Sequence, residues 1–344
     1  MTGSVIYRLP HEERCTYITG ELRMLDSSTI MDSLKGYIIA PFLATSEEPV
    51  MHINADSTES FPCDDIPSLT DFDVPADCPF PEESTSKADY DRVFASFHDH
   101  IDKGKVQKIV LSRKENVSTS CQATPLQLFS RACAMYPRVM ITMFRTPVSG
   151  LWLICSPEIL VERKGSQWHT VALAGTMRWS EEMPEWDKKN RDEQHIVQTY
   201  ITDVLRHFTE EISIVGPYTA RAAHLAHIRS DISFSMPFGQ NEGVVIRILH
   251  PTPAVCGLPR DAAYAIINNA NGNRATSRHF YSGFSGPVCI DDSTHIYASL
   301  RCMQIHSAHQ YTLHAGGGIM PDSKADSEWE ETVAKMETMK NVLK

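Results

Sequence analysis

Ionisable side chains interrupt apolar patterns at a few positions of this chain, and its chemistry has to be sought there. In VQKIVLSR, Lys108 shares a pleat face with Val106 and Val110 while Ile109 and Leu111 occupy the other, so a lysine falls in a strand that reads as buried on both sides. Burial penalises the charged form of an amine, and a neutral amine can take a proton near neutral pH. The competing arrangement, commoner on periodicity alone, is a packed stem whose ammonium reaches water. Lys105, ahead of the strand, reads as solvated. Glu193 falls on the apolar face of a helix marked by Ile196, Val197, Tyr200, Ile201, Val204 and Phe208, where a carboxylate needs a cation or strong donors. Near the C-terminus Glu328, Glu331 and Lys335 share one arc beside Trp329, Val333 and Met336, with Glu330 and Glu337 turned away. Carboxylates converging from two helices suit Mg²⁺, a hard cation that keeps several waters. An ordinary surface pair of Glu331 with Lys335 is the alternative. Arg301, in HIYASLRCMQI, could clamp a carboxylate or simply brace a sheet face, and HAGGGI reads as a strand ending in three glycines that could approach an anion or merely turn.

The elements that would position these groups follow from hydrophobic period. Tyr90, Val93, Phe94, Phe97 and Ile101 mark a helix feeding the Lys108 strand. Strand-like runs (VMITMFRT, LWLICSPEILVE, HTVALAG, HIYASLRCMQI, QYTLHAGG) outnumber long helices, which fall at about Glu185 to Glu210 and Asp326 to Leu343. Large sheets with helices outside are expected, an α+β arrangement. Residues 47–87 are acidic and rich in Pro, Ser and Asp, and read as a surface loop between an N-terminal part (1–46) and the main body (88–344).

Composition narrows the function classes. A chain of 344 residues with 42% hydrophobic content builds a substantial core, and a net charge of −11 argues against a nucleic-acid or anionic membrane surface. Nine cysteines without a CxxC pair fit neither a disulfide framework nor a zinc ribbon, and His98, His100, His306 and His309 lack metal-ligand spacing. The opening residues lack a signal pattern and no apolar run reaches the ~20 residues of a membrane helix. The expectation is a cytoplasmic, monomeric protein.

The blocks taken in order resemble the chorismate-binding enzymes, the group holding isochorismate, salicylate, anthranilate and aminodeoxychorismate synthases. They are KIVLSR (Lys108 to Arg113), SPEIL (Ser156 to Leu160), ALAGT (Ala172 to Thr176), KNRDEQHIV (Lys189 to Val197), HL (His224, Leu225), LHPTPAVCGLPR (Leu249 to Arg260), FYSG (Phe280 to Gly283), LRC (Leu300 to Cys302), AGGGI (Ala315 to Ile319) and EWEET (Glu328 to Thr332). The resemblance covers Tyr90 to the C-terminus. It implies two large, mainly antiparallel sheets, helices outside, and an active site in a deep cleft.

Within the group, LHPTPAVCGLP and the lysine of KIVLSR are similar to the isochorismate synthase branch, whereas enzymes that use ammonia carry glutamine at that lysine. The implied reaction adds water at C2 of chorismate and expels the C4 hydroxyl, with menaquinone biosynthesis favoured over a siderophore. Salicylate synthase, which shares the lysine, and an inactive chorismate- or metal-binding homologue are the rivals. By the same resemblance Lys108 is the general base and Glu158 the acid that protonates the leaving hydroxyl. Such an acid must be protonated at working pH, which burial can arrange. Glu193 and Glu331 are implied Mg²⁺ ligands, with Glu328 near the ion or its waters. Arg301 would clamp the enolpyruvyl carboxylate with backbone amides of Gly316, Gly317 and Gly318, and Lys335 would lie near the ring carboxylate. Gly175, Thr176 and His250 would line the pocket. The stretch before Arg278 lacks an acidic residue common in relatives.

Overall fold

Most strands are buried over nearly their whole length, because branched and aromatic residues occupy both pleat faces. The computed structural model describes residues 1–25, 34–120, 123–182, 185–237, 242–271 and 277–344. Its strands form two sheets in which every pairing is antiparallel. The first runs, from edge to edge, β5 (Ser57–Pro62), β2 (Arg14–Leu25), β1 (Thr2–Arg8), β7 (Met140–Thr146), β8 (Gly150–Ser156), β16 (Cys302–Ile305), β17 (Gln310–Ile319), β6 (Lys108–Ser118) and β13 (Gly257–Leu258). The second runs β11 (Ile212–Ala222), β12 (Leu225–Phe234), β10 (Gln167–Arg178), β9 (Ile159–Lys164), β15 (Ser293–Ala298), β14 (Phe284–Val288), β3 (Gly36–Ala40) and β4 (Val50–Asn54), and closes on the far end of β2. Long β2 therefore belongs to both.

Two consecutive segments also pass from one sheet to the other. LWLICSPEILVE reads as one strand in the sequence, but breaks at Pro157 and Glu158 between β8 and β9. Proline cannot donate to a ladder, so the break falls there. HIYASLRCMQI breaks likewise at residues 299–301, between β15 and β16. The two crossings lie side by side: Ala298 N–H donates to Glu158 O (3.0 Å) and Cys155 N–H to Arg301 O (3.1 Å).

Apolar side chains fill three layers. Between the sheets, Val5, Phe144, Trp152 and Ile154 of the first face Tyr37, Ile39, Met51 and Leu173 of the second. Outside the first sheet pack α2 (Pro125–Met135) and α6 (Ala325–Val342), and outside the second pack α3 (Lys188–Arg206) and α4 (Glu242–Leu249). A smaller cluster joins α1 (Lys87–Asp102) and α5 (Arg260–Asn271) to β6. Ser86 caps α1, its hydroxyl accepting from Asp89 N–H.

Residues 47–87, read from their composition as a surface loop, carry two strands. Val50–Asn54 forms β4, buried between β2 and β3, and Ser57–Pro62 forms the exposed edge strand β5. An edge strand wetted on both faces carries no apolar alternation to reveal it. The stretch before Arg278, where a missing acid was noted, lies at 272–276, outside the described residues.

A polar tie crosses the inter-sheet layer: Tyr37 of the second sheet donates its hydroxyl to Thr142 Oγ1 of the first at 2.7 Å, wholly buried. Removing that hydroxyl leaves a buried threonine short of a partner. Tyr37→Phe is therefore expected to lower unfolding free energy by about 1–2 kcal/mol, read as a lower urea midpoint at unchanged slope.

Candidate active site

The crossings deliver two of the expected residues to one cavity. Glu158 and Arg301 both line a cleft of about 570 Å³, counting the space at its mouth, with Gly175, Thr176, Glu193, His227, Tyr281, Gly316, Gly318, Glu331 and Lys335. Arg301 adopts φ 45°, a left-handed conformation that costs a non-glycine residue on the order of 1 kcal/mol, at the point where the chain changes sheets. It does not lie on a half-exposed sheet face, as a continuous strand would have placed it: its side chain is buried and turned into the cleft.

Arg301 is held by a residue that sequence reasoning passed over. His227 of β12 has its Nε2 2.7 Å from Arg301 Nη2 and its Nδ1 2.6 Å from Gly175 O. Burial, and then the arginine charge, hold this imidazole well below its usual range, so it is neutral. Its Nδ1–H donates to the carbonyl and Nε2 accepts from the guanidinium, an assignment the partners dictate. The signal was available, since a histidine at a buried strand position breaks the pattern as Lys108 does. His224, quoted instead, braces the backbone of α6 by placing Nε2 2.9 Å from Ala334 O.

Gly175 and Thr176 form a bulge in β10, where the register against β12 shifts between Ala174 and Met177. At φ 69° Gly175 is left-handed, and a side chain there would press on Asn190. Asn190 Oδ1 accepts from Thr176 N–H (3.2 Å), and its own N–H and amide are held by Asp187, the N-cap of α3. One helix start therefore fixes the bulge and aims Glu193, a turn further on.

Three carboxylates and three lysines gather on the opposite side, where Glu193, Glu331 and Lys335 line the cleft and Lys108, Lys189 and Glu328 stand behind them. Lys108 is fully buried, and its Nζ lies 2.8 Å from Glu193 Oε1 without the alignment of a hydrogen bond. The snorkelling arrangement is thus not the one adopted. Lys108 does not line the cleft itself but sits behind Glu193 and Gly318. Burial raises the Glu193 carboxyl, but Lys108 and Lys189 outweigh it and hold the group below its ordinary value. Lys189, a second residue given no role from the sequence, pairs with Glu328. Spacing offered a clue, since Lys189 precedes Glu193 by one helical turn. Glu328 is buried in the first turn of α6, where its Oε1 accepts from Ser323 Oγ (2.6 Å) and its Oε2 has no partner among the described residues. Burial and the nearby Glu331 raise its carboxyl. Lys335 spans Glu331 Oε1 (2.7 Å) and Gly316 O (2.8 Å). The i,i+4 pair foreseen as a bland alternative does form, but in the wall of the cleft.

The glycines lie where the sequence puts them, at the end of a strand: β17 runs through Gly316, Gly317 and Gly318 to Ile319, paired along the way with Ser112, Leu111 and Val110 of β6. What glycine provides is clearance. A Cβ on Gly317 would come within 3.0 Å of Glu328 Oε2, and one on Gly318 within 2.6 Å of Lys108 Cε, besides overlapping Glu193. Gly317 accordingly faces the carboxylates and not the cleft. His250 is also outside the cleft, packed edge-on to Phe42 and Phe284 with Nε2 3.2 Å from Ser282 O. This block touches the cleft at Ala254, and Thr252 Oγ1 donates to Glu158 Oε1 over 3.4 Å.

The acid candidate is distinct from these carboxylates. Burial raises the Glu158 carboxyl to about 7, against the opposing pull of Arg301 and Lys108. A protonatable carboxyl, a fixed guanidinium and a lysine–carboxylate wall meet at the joint of two antiparallel sheets, an arrangement that can bind an anion and give it a proton. The family model described as chorismate binding enzyme matches residues 42–344, and the chain belongs to that family. It is 28% identical to the isochorismate synthase EntC of Escherichia coli over 251 residues, 70% of this chain and 63% of that one. Over 252 residues it is 27% identical to the isochorismate synthase MenF of the same organism, 71% of this chain and 57% of that one. The alignments thus span less than two thirds of either relative. Among solved structures, DhbC of Bacillus anthracis superposes with a TM-score of 0.79 at 20% identity, covering 99% of this chain and 96% of that one. The E. coli MenF structure gives 0.78 at 19% identity, covering 99% and 89%. The two-sheet fold with helices outside is that of these enzymes. No described helix is long and apolar enough to cross a membrane.

Glu158 also makes a prediction independent of turnover. Its folded value, about 7, lies above the ordinary 4.5, so the unfolded chain loses this proton first and folding is progressively disfavoured as pH rises from ~4.5 to ~7, with no further loss above. Glu158→Gln, which cannot ionise, should therefore gain on the parent protein across that window, by at most roughly 3 kcal/mol. Paired urea titrations at about pH 4.5 and pH 8 would show it; a stability difference that does not change with pH removes the raised carboxyl.

Proposed function

We propose that this protein is an isochorismate synthase, converting chorismate to isochorismate by addition of water at C2 and loss of the C4 hydroxyl. The observation that carries the reading is Glu158, a carboxyl buried in the cleft and still protonatable near neutral pH, within electrostatic reach of Lys108. Lys108 takes a proton from the water that attacks C2. Glu158 gives its proton to the C4 oxygen, which leaves as water while the ring double bonds shift. Each atom lost at C4 is replaced at C2, so the reaction is an isomerisation.

Arg301, fixed by His227, presents its fork to the enolpyruvyl carboxylate, and Lys335 lies toward the ring carboxylate. The acidic wall fits Mg²⁺ by its chemistry: hard carboxylate oxygens from Glu193 and Glu331 line the cleft, and Glu328 has one oxygen without a partner among the described residues. Among the described residues no three ligating side chains are gathered into one cluster, so in this reading one or two carboxylates hold the ion together with waters and substrate. When bound, Mg²⁺ would neutralise and orient the ring carboxylate. In this reading the product enters menaquinone biosynthesis.

Incubating the purified chain with chorismate and Mg²⁺ and resolving the products by chromatography tests the assignment. Isochorismate should accumulate; salicylate with pyruvate, or no turnover, would sink it. Lys108→Ala and Glu158→Gln are each expected to lower kcat by at least ~10²-fold with the fold retained by circular dichroism, and full activity in either removes that residue from the chemistry. Glu193→Ala should act differently, raising the Mg²⁺ concentration needed for half-maximal rate by ~10-fold or more; an unchanged Mg²⁺ dependence would clear Glu193 as a ligand.

A further inference from the structure

His250, which lies outside the cleft, lines a second cavity. A groove of about 730 Å³, counting the space at its mouth, has Phe42, Arg247, His250, Arg260, Tyr264 and Phe284 in its walls. It opens where the last turn of α4 and the start of α5 meet the ends of β3 and β14. None of its lining residues lines the cleft, so the site stands apart from the proposed reaction.

Rings make one wall of this groove. Tyr264 and Phe42 lie 5.5 Å apart between centroids, Phe42 and His250 6.5 Å, and His250 and Phe284 4.9 Å, so that four rings adjoin in series. Phe42 is fixed by the buried Arg278, whose guanidinium lies 4.1 Å from the ring centroid and donates to Val255 O (2.7 Å) and Val110 O (2.5 Å). The two phenylalanines are buried, and Tyr264 and His250 are half-buried. Burial lowers His250 to about 4, so near neutral pH its ring adds a flat, uncharged surface to the wall.

Cations border the rings. Arg260, which opens α5, is held by Asp261 Oδ1 on its Nε (3.2 Å) and by Ile248 O on its Nη1 (3.3 Å). Arg247, in the last turn of α4, is exposed and has no ion-pair partner among the described residues. Two guanidinium groups against the one carboxylate of Asp261 make this lining net positive, on a chain of net charge −11. Aromatic walls favour a planar apolar body, and a guanidinium fork matches a carboxylate. With one arginine already shared with Asp261, the pair suits a single carboxylate and not a polyphosphate.

We propose that this groove is a second ligand site, for a small aromatic carboxylate of one or two fused rings. The ring system lies along Tyr264, Phe42 and Phe284, and the carboxylate meets Arg247 and Arg260. Its volume falls within the roughly 300–1,000 Å³ of small-molecule sites.

Isothermal titration of the full chain with 2-naphthoate, without Mg²⁺, should give saturable binding with a Kd of about 1 mM or tighter. The uncharged 2-naphthalenemethanol should bind at least ~10-fold more weakly, and inorganic phosphate should not displace the naphthoate. Arg247→Gln, at an exposed position, should weaken binding ~5-fold or more. Ala44→Trp, which fills the groove from its exposed rim, should abolish binding at unchanged melting temperature. Arg301→Ala, in the cleft, should leave the naphthoate affinity as it is, which keeps this test separate from that of the proposed reaction. No saturable binding, equal affinity for the alcohol, displacement by phosphate, or binding that depends on Arg301 and not on Arg247 or Ala44 overturns the proposal.

Discussion

Two chain crossings, hydrogen-bonded side by side, are the constraint on which the site depends. β8 passes to β9 through Glu158, and β15 passes to β16 through Arg301. Each crossing interrupts a ladder that would otherwise turn these residues onto a sheet face. Because Cys155 donates to Arg301 O and Ala298 to Glu158 O, neither crossing can shift without the other. An acid and a cation are thereby fixed in the seam between the sheets by backbone bonds, before any side-chain contact is made. Tolerating φ 45° at Arg301 is the strain that goes with it.

Charge then decides how the seam remains folded. A chain with net charge −11 gathers four cations, Lys108, Lys189, Arg301 and Lys335, around one cleft. Isolated, each would resist burial. Three are met by carboxylates, and the fourth, Arg301, by a neutral histidine that accepts a hydrogen bond without cancelling the charge. That difference matters for any anion that enters the cleft. The arginine keeps its full attraction for an anion, while the lysine–carboxylate wall can exchange partners with one.

Much of this was legible in the sequence wherever a side chain contradicts its surroundings. Lys108, Glu193 and the arc of Glu328, Glu331 and Lys335 stood out because helix and strand periods fix which face a residue takes. The same logic applied to His227 and Lys189 would have found both. What period cannot show is where a run of strand residues changes sheets, so Arg301 was placed on a face that does not exist, and Glu158 was visible only through resemblance. Nor can composition reveal a wetted edge strand such as β5. His250 was misplaced because a block of residues is not a surface: His250 packs outward against two phenylalanines while Thr252 reaches Glu158.

The glycines of β17 join these two themes. A strand paired along its length with β6 can carry side chains on both faces, yet three successive positions carry none. On the α6 side the space above Gly317 is taken by Glu328 and Glu331, and beside Gly318 it is taken by Glu193 and the stem of Lys108. Carboxylates from two helices and a lysine from the neighbouring strand therefore approach the same stretch of backbone, an approach any larger residue would prevent. The run is the end of a paired strand, bare of side chains, so that acidic groups on either side can approach its backbone. The glycines make room for Glu193, Glu328 and Glu331, while Arg301 at the crossing lines the same cleft as Glu193 and Glu331.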